Sequence, residues 1–193
     1  MSPKEFRSEW NPDELNRWYH FDQNELDRLP VSDETKEWLK DGFPENAAPF
    51  LNFGLKSYDG KFHSISNYYS DYELDPKTKN FWIFGSDGSG NPICIDSMNN
   101  DRVLLLDHEQ EFEIIGIINS SVSELSQCLS VYRRFVKQIQ FELGNDAFIE
   151  TKFTIKHVDD LRSRIEGIRS HIMTNSDFWG NEIKGLYLEI EQK

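Results

Sequence analysis

In the middle of the chain apolar residues come in short unbroken runs, and further on they recur at steps of three and four. The runs are Phe81-Trp82-Ile83-Phe84, Ile93-Cys94-Ile95 and Val103-Leu104-Leu105-Leu106, and Phe112 to Ile118, broken by Glu113 and Gly116, supplies one more strand. The continuous run Phe81 to Phe84 suits a strand covered on both faces. Lys61 to Ser66 alternates loosely and reads as a further strand. The links between the later runs are Gly85-Ser86-Asp87-Gly88-Ser89-Gly90-Asn91-Pro92 and Asn99-Asn100-Asp101, built from residues that turn a chain. Because these links are short, neighbouring strands are predicted to pair antiparallel, since parallel pairing needs a crossover of about a dozen residues.

Ser121-Val122-Ser123-Glu124 has the form of a capping box, and Leu125, Leu129, Tyr132, Val136 and Ile139 follow at helical spacing until Gly144-Asn145 stops the run. Val158, Leu161, Ile165, Ile168 and Ile172 predict a second helix with one apolar stripe under a charged face. Earlier, Ser32 or Asp33 can cap a short helix that Gly42 ends, with Trp38 and Leu39 as its buried contacts. Phe43-Pro44 then leads to Pro49 through Gly54, a short extended segment. The stretch before Arg28 is polar and aromatic without a clean period, and reads as an irregular arm packed by Trp10, Trp18, Tyr19 and Phe21. At the other end, Ser176 to Ile190 reads as a capped helix carrying Phe178, Trp179, Ile183 and Leu186, followed by an extended end. There is no internal repeat and no low-complexity segment. The organisation predicted is an N-terminal arm, residues 1–28, and one α+β domain, residues 29–193, in which helices pack against a mainly antiparallel central sheet.

Composition changes this picture little, but charge changes it more. At 193 residues a single domain buries roughly 70% of its unfolded surface, so a core needs neither disulfides nor metal. Only 37% of residues are hydrophobic but 13% are aromatic, so the core is expected to be built around rings. Cys94 and Cys128 lie in apolar surroundings, far apart in sequence, and read as small hydrophobes in a reducing compartment. The opening residues hold no signal-like apolar run and no stretch reaches membrane-spanning length, so the expectation is a soluble cytoplasmic protein with no membrane partner. Asn119-Ser120-Ser121 matches a glycosylation sequon but reads better as a helix start. With 34 acids against 21 bases the formal charge is −13, a field that repels phosphate backbones and hastens encounter with basic partners. The acids concentrate between Gly85 and Ile114, as Asp87, Asp96, Asp101, Asp107, Glu109, Glu111 and Glu113 against Arg102 alone.

Candidate chemistry is sparse. Gly85 to Gly90 resembles a phosphate loop but lacks the Gly-Lys-Ser/Thr ending and is followed by a strand, so it reads as a turn; it also lacks the alternating acids of a calcium loop. Asp107-His108-Glu109 places a histidine between carboxylates, but adjacent residues point in different directions, which favours a solvated acidic turn over an acid/base pair. His20, His63, His157 and His171 have no metal-ligand spacing, and no nucleophile motif occurs, so no metal or cofactor is expected and nothing calls for an enzyme. Trp82 sits in a continuous apolar strand and reads as core and not as a stacking platform.

Phe81 through Asp96, then Val103 and Asp107, then Ile118-Asn119-Ser120-Ser121 opening a helix with Leu125 and Leu129, resembles the SUKH superfamily, immunity proteins related to fungal cell-wall synthesis regulators. Leu29-Pro30 through Trp38-Leu39, Gly42-Phe43-Pro44, Phe50-Leu51-Asn52-Phe53 and the late Asp177-Phe178-Trp179 with Ile183 are similar to its fourth immunity group. Members commonly carry an acid after the Gly-Ser-Gly turn, where this chain has Asn91. The resemblance implies an α+β fold and binding to a cognate toxin domain, nucleases and nucleic-acid deaminases being among such toxins. The acidic centre suits a basic toxin face, and the expected partner-binding residues are Asp87, Ser89, Asn91, Asp101, Asp107, Glu109 and Glu111, seated over the toxin's active site with exposed aromatics as hot spots. A scaffold or regulatory adaptor on the same fold is the alternative, and a small-ligand enzyme the third.

Overall fold

The computed structural model describes residues 1–13, 17–170, 172–175 and 177–193. The first stretch is not irregular. Ser2 opens α1 (Pro3–Trp10) with a capping box: its hydroxyl accepts from the Glu5 N–H, and the Glu5 carboxylate accepts from the Ser2 N–H at 2.7 Å. Phe6 and Trp10 face inward, and the Phe6 ring lies against Trp18, Trp38 and Phe43 at centroid distances of 5.4, 6.3 and 5.3 Å. The part of the expected arm at 14–16 lies outside the described residues. β1 (Trp18–Tyr19) pairs antiparallel with β2 (Phe43–Pro44), and between them Asp22 caps α2 (Gln23–Arg28) and Ser32 caps α3 (Asp33–Lys40). Trp38 and Leu39 are buried as the pattern predicts. At Gly42, φ +91, a Cβ would come within 2.5 Å of the Tyr19 carbonyl oxygen, so only glycine fits.

The sheet is a meander in chain order: β3 (Asn46–Ala47), β4 (Leu51–Phe53), β5 (Phe81–Asp87), β6 (Pro92–Asp96), β7 (Arg102–Asp107) and β8 (Glu113–Asn119), with every neighbouring pair antiparallel. This is the predicted α+β architecture. Lys61 to Ser66 departs from its expected strand: only Ser64 bridges to Trp82, and Ser64 then caps α4 (Ile65–Tyr68) by accepting from the Asn67 N–H. Burial of Ile65 holds that short helix in place. Trp82 is partly buried and packs against the core, as its strand position implies.

Ser121 caps α5 (Val122–Leu143), which Gly144 ends. The box is modified, because the Glu124 carboxylate accepts from the N–H and hydroxyl of Ser120 and not from the Ser121 N–H. α6 (Ile155–Glu166) packs on α5 through Val158, Leu161 and Ile165 but stops at Gly167. The stripe therefore continues off the helix, with Ile172 buried at the start of α7 (Ile172–Asn175). α8 (Asp177–Glu191) is one helix to its end, where an extended tail was expected; Trp179, Ile183 and Leu186 bury one face of it against β8, α6 and α7. The expected cap at Ser176 lies outside the described residues. One hydrophobic cluster runs from Phe6 to Leu186 and includes both free cysteines. Burial raises the Cys94 thiol and pushes Cys128 up to about 12. Among the described residues no helix is long and apolar enough to cross a membrane.

Candidate partner-binding surface

In an antiparallel meander consecutive hairpins alternate between the two ends of the sheet. The β5–β6 and β7–β8 turns therefore share one end, and side chains tie them together. Asp87 closes the first turn: its Oδ1 accepts from the N–H groups of Ser89 (2.8 Å) and Asn91 (2.9 Å), and its Oδ2 accepts from Asn91 Nδ2 (3.1 Å). The Asn91 Oδ1 then accepts from the His108 N–H and lies 2.8 Å from His108 Nδ1 in the second turn. There Asp107 Oδ1 accepts from the Glu109 N–H at 2.9 Å, and Glu111 and Phe112 take left-handed φ of +51 and +61 to return the chain.

Six of the expected residues, Asp87, Ser89, Asn91, Asp107, Glu109 and Glu111, thus stand together at one end of the sheet. Their roles differ. Asp87 and Asn91 build the turns, while the exposed carboxylates of Glu109 and Glu111 form no hydrogen bond or ion pair with another described residue. His108 is exposed and bound to Asn91, as a solvated acidic turn requires.

Asp101 does not join them. It sits in the β6–β7 turn at the opposite end, 4% exposed, and its Oδ2 accepts from the Ser32 N–H (2.8 Å) and the Thr35 hydroxyl (2.9 Å). Asn100 and Asp101, both at φ +55, turn the chain so that this carboxylate meets the free donors at the start of α3. Asp101 holds the fold and is not part of the exposed acidic surface.

Beside the β5–β6 turn lies a cleft of about 430 Å3, whose walls include Phe50, Asp87, Leu105, Ile115, Phe178 and Glu182. Phe50, 83% exposed at φ +53, stands at its mouth, close enough that a Cβ on Gly88 would lie 3.4 Å from its own. Ile115, on edge strand β8, is 48% exposed. Partial burial in the cleft, with Glu189 adding repulsion, pushes the Glu182 carboxyl up to about 7. Sequence reasoning misses both ends of this feature. Phe50 follows a proline before a strand and reads as part of the extended segment; no local pattern marks Glu182.

A second cleft, about 610 Å3, lies between α7 and the β6–β7 turn, and its walls include Arg102 and Arg169. Both arginines are already paired, Arg102 with Asp96 at 2.9 Å and Arg169 with Glu124 at 3.7 Å, so neither is free for an anion. Among the described residues no group of His, Cys, Asp and Glu is placed to hold a metal. The raised thiols make Cys94 and Cys128 poor nucleophiles. The arrangement is suited to docking: acids on rigid turns, an exposed aromatic and an apolar cleft. A family model described as SUKH-4 immunity protein matches residues 2–183. No curated protein and no solved structure matches the chain.

Proposed function

This chain belongs to the SUKH-4 immunity protein family, and on that premise we propose that it binds and neutralises a cognate toxin domain that acts on nucleic acid, a nuclease or a deaminase, by covering its active site. The observation that carries the mechanism is the joining of two acidic turns at one end of the sheet beside Phe50 and its cleft. Such a toxin must hold a phosphate backbone, and the cationic cleft it uses for that purpose is complementary to a rigid cluster of carboxylates. Glu109 and Glu111 supply steering, Asp87 and Asn91 fix the shape, and Phe50 supplies a hydrophobic anchor already extended into solvent. The protein acts as a stoichiometric blocker in the cytoplasm, without catalysis and without touching nucleic acid or membrane itself.

The test is rescue. A toxin domain captured by affinity pull-down with this protein is induced in a bacterial host with and without the protein, growth is followed, and the complex is sought by gel filtration. Restored growth with co-elution supports the assignment. Equal killing in both cultures, with the protein soluble and abundant, refutes it.

A further inference from the structure

We propose that the cleft between Phe50, the β5–β6 turn and α8 receives one arginine side chain of the partner, its methylene stem against Leu105, Ile115 and Phe178 and its guanidinium against Glu182 and Asp87. This rests on the toxin-binding role above and names the chemistry of the anchor.

The cleft is of a size that takes a single long side chain, at the low end of the 300–1,000 Å3 typical of ligand sites. Its apolar walls are half open: Leu105 is nearly covered while Ile115 is not, which leaves apolar surface that a methylene stem can cover. Its polar groups have one sign of charge. Asp87 and Glu182 line it, and among the described residues no lysine, arginine or histidine does. Glu182 makes no hydrogen bond or ion pair with a described residue, so both its oxygens are free to accept. Asp87 Oδ2 takes a single bond, from Asn91, and keeps capacity for another. A planar guanidinium presents its donors as a fork and can engage carboxylates in pairs, whereas an ammonium acts as a point charge.

Glu182 supplies a readout. Among the described residues the groups that interact with it are Glu189 on its own helix and Tyr132 on α5, neither of them a cation, while Asp87 lines the same cleft. With its carboxyl at about 7, it is mostly protonated at pH 6 and mostly ionised at pH 8. A cation that binds only the ionised form therefore binds about tenfold more tightly at the higher pH.

The experiment uses the full chain and a small probe. N-acetyl-arginine amide and its uncharged counterpart N-acetyl-norleucine amide are titrated at pH 6 and pH 8, with the backbone amide signals of Gly88, Ile115 and Asn181 followed by NMR. The expected result is that the arginine probe shifts these signals, binds at least about fivefold more tightly than norleucine at pH 8, and loses about tenfold at pH 6. Glu182→Gln, which keeps the shape and leaves Asp87 in place, should reduce the preference and abolish the pH dependence, isolating this carboxyl from every other titrating group. Equal binding of the two probes, or an unaltered pH response in Glu182→Gln, overturns the assignment. With the toxin, Glu182→Gln and the cleft-filling Ile115→Trp should each speed dissociation by about tenfold; if both release the toxin at the parental rate, the cleft is not the anchor. Loss of the wider role registers separately, as failure of the parent protein to protect cells.

Discussion

Replacing Asp101 by alanine removes a single oxygen on which two donors converge, the Ser32 N–H at 2.8 Å and the Thr35 hydroxyl at 2.9 Å. Both Asp101 and Thr35 are 4% exposed, so water cannot readily take over these bonds. Hydrogen bonds to a charged group contribute about 1.5–3 kcal/mol each, and alanine also fits poorly at φ +55, so the expected loss is roughly 3–5 kcal/mol. Since domains of this kind are stable by about 5–15 kcal/mol, that is a large fraction of the total. Asn should behave differently. Its side-chain oxygen can replace the one that accepts both bonds, and asparagine tolerates the left-handed conformation, so only charge assistance at the α3 N-terminus is lost, about 1 kcal/mol. Urea unfolding followed by tryptophan fluorescence reports on this joint, because Trp38 lies in α3 itself. If Asp101→Ala unfolds within about 1 kcal/mol of the parent, or if Asn costs as much as Ala, the carboxylate is not the brace between the β6–β7 turn and α3. The Asn variant should also bind the partner normally, in contrast to changes at the other end of the sheet.

Other consequences are simpler to measure. Ser121→Ala should cost about 1 kcal/mol through loss of its bond to the Glu124 N–H (3.1 Å), whereas Leu129→Asp, at a fully buried position, should leave no cooperative thermal transition. Glu182 has a folded-state carboxyl near 7 against 4.5 unfolded, so between those values the folded state binds more protons and stability rises as pH falls from 8 toward 5. Discounted for solvent access, the gain is on the order of 1 kcal/mol, and Glu182→Gln should flatten that part of the stability–pH curve. An unchanged curve in the variant would place the titration elsewhere.

β5 to β8 are legible in the sequence because each is a largely apolar run and the links between them are short turns, so pairing between these neighbours needs no distant information, whereas β4 pairs with β5 across residues 54–80. The helices that escape such a reading, α1, α2 and α4, are too short to show a period. Their signal lies in their caps, Ser2 with Glu5, then Asp22 and Ser64, and not in their apolar residues. Ile168 and Ile172 mislead in the opposite way, since the same stripe serves core packing beyond Gly167 and so outlasts the helix that begins it. Composition finds the acidic turns, but it does not say which carboxylate meets a donor. Asp101 reads as a surface acid because the group it braces lies 69 residues away in sequence. Once the meander is known, its hairpins must alternate ends, which separates Asp101 from Asp87 and Asp107 without any side-chain detail. The cleft has no local trace, because a loop before β4, the β5–β6 turn, β7, β8 and α8 each contribute only one or a few of its residues.

The claim that the acidic end of the sheet faces the toxin is tested most directly by association kinetics. The parent and the triple variant Asp107→Asn, Glu109→Gln, Glu111→Gln are mixed with the cognate toxin domain at low and at physiological salt. All three changes preserve turn-forming shape, and the amide oxygen introduced by Asp107→Asn still accepts from the Glu109 N–H, so melting temperatures should nearly coincide. The account predicts an association rate that falls steeply with salt for the parent, and for the variant a low-salt rate about tenfold slower with a much flatter salt dependence. An unaltered rate and salt slope in the triple variant would contradict it, and would place recognition on another face of the protein.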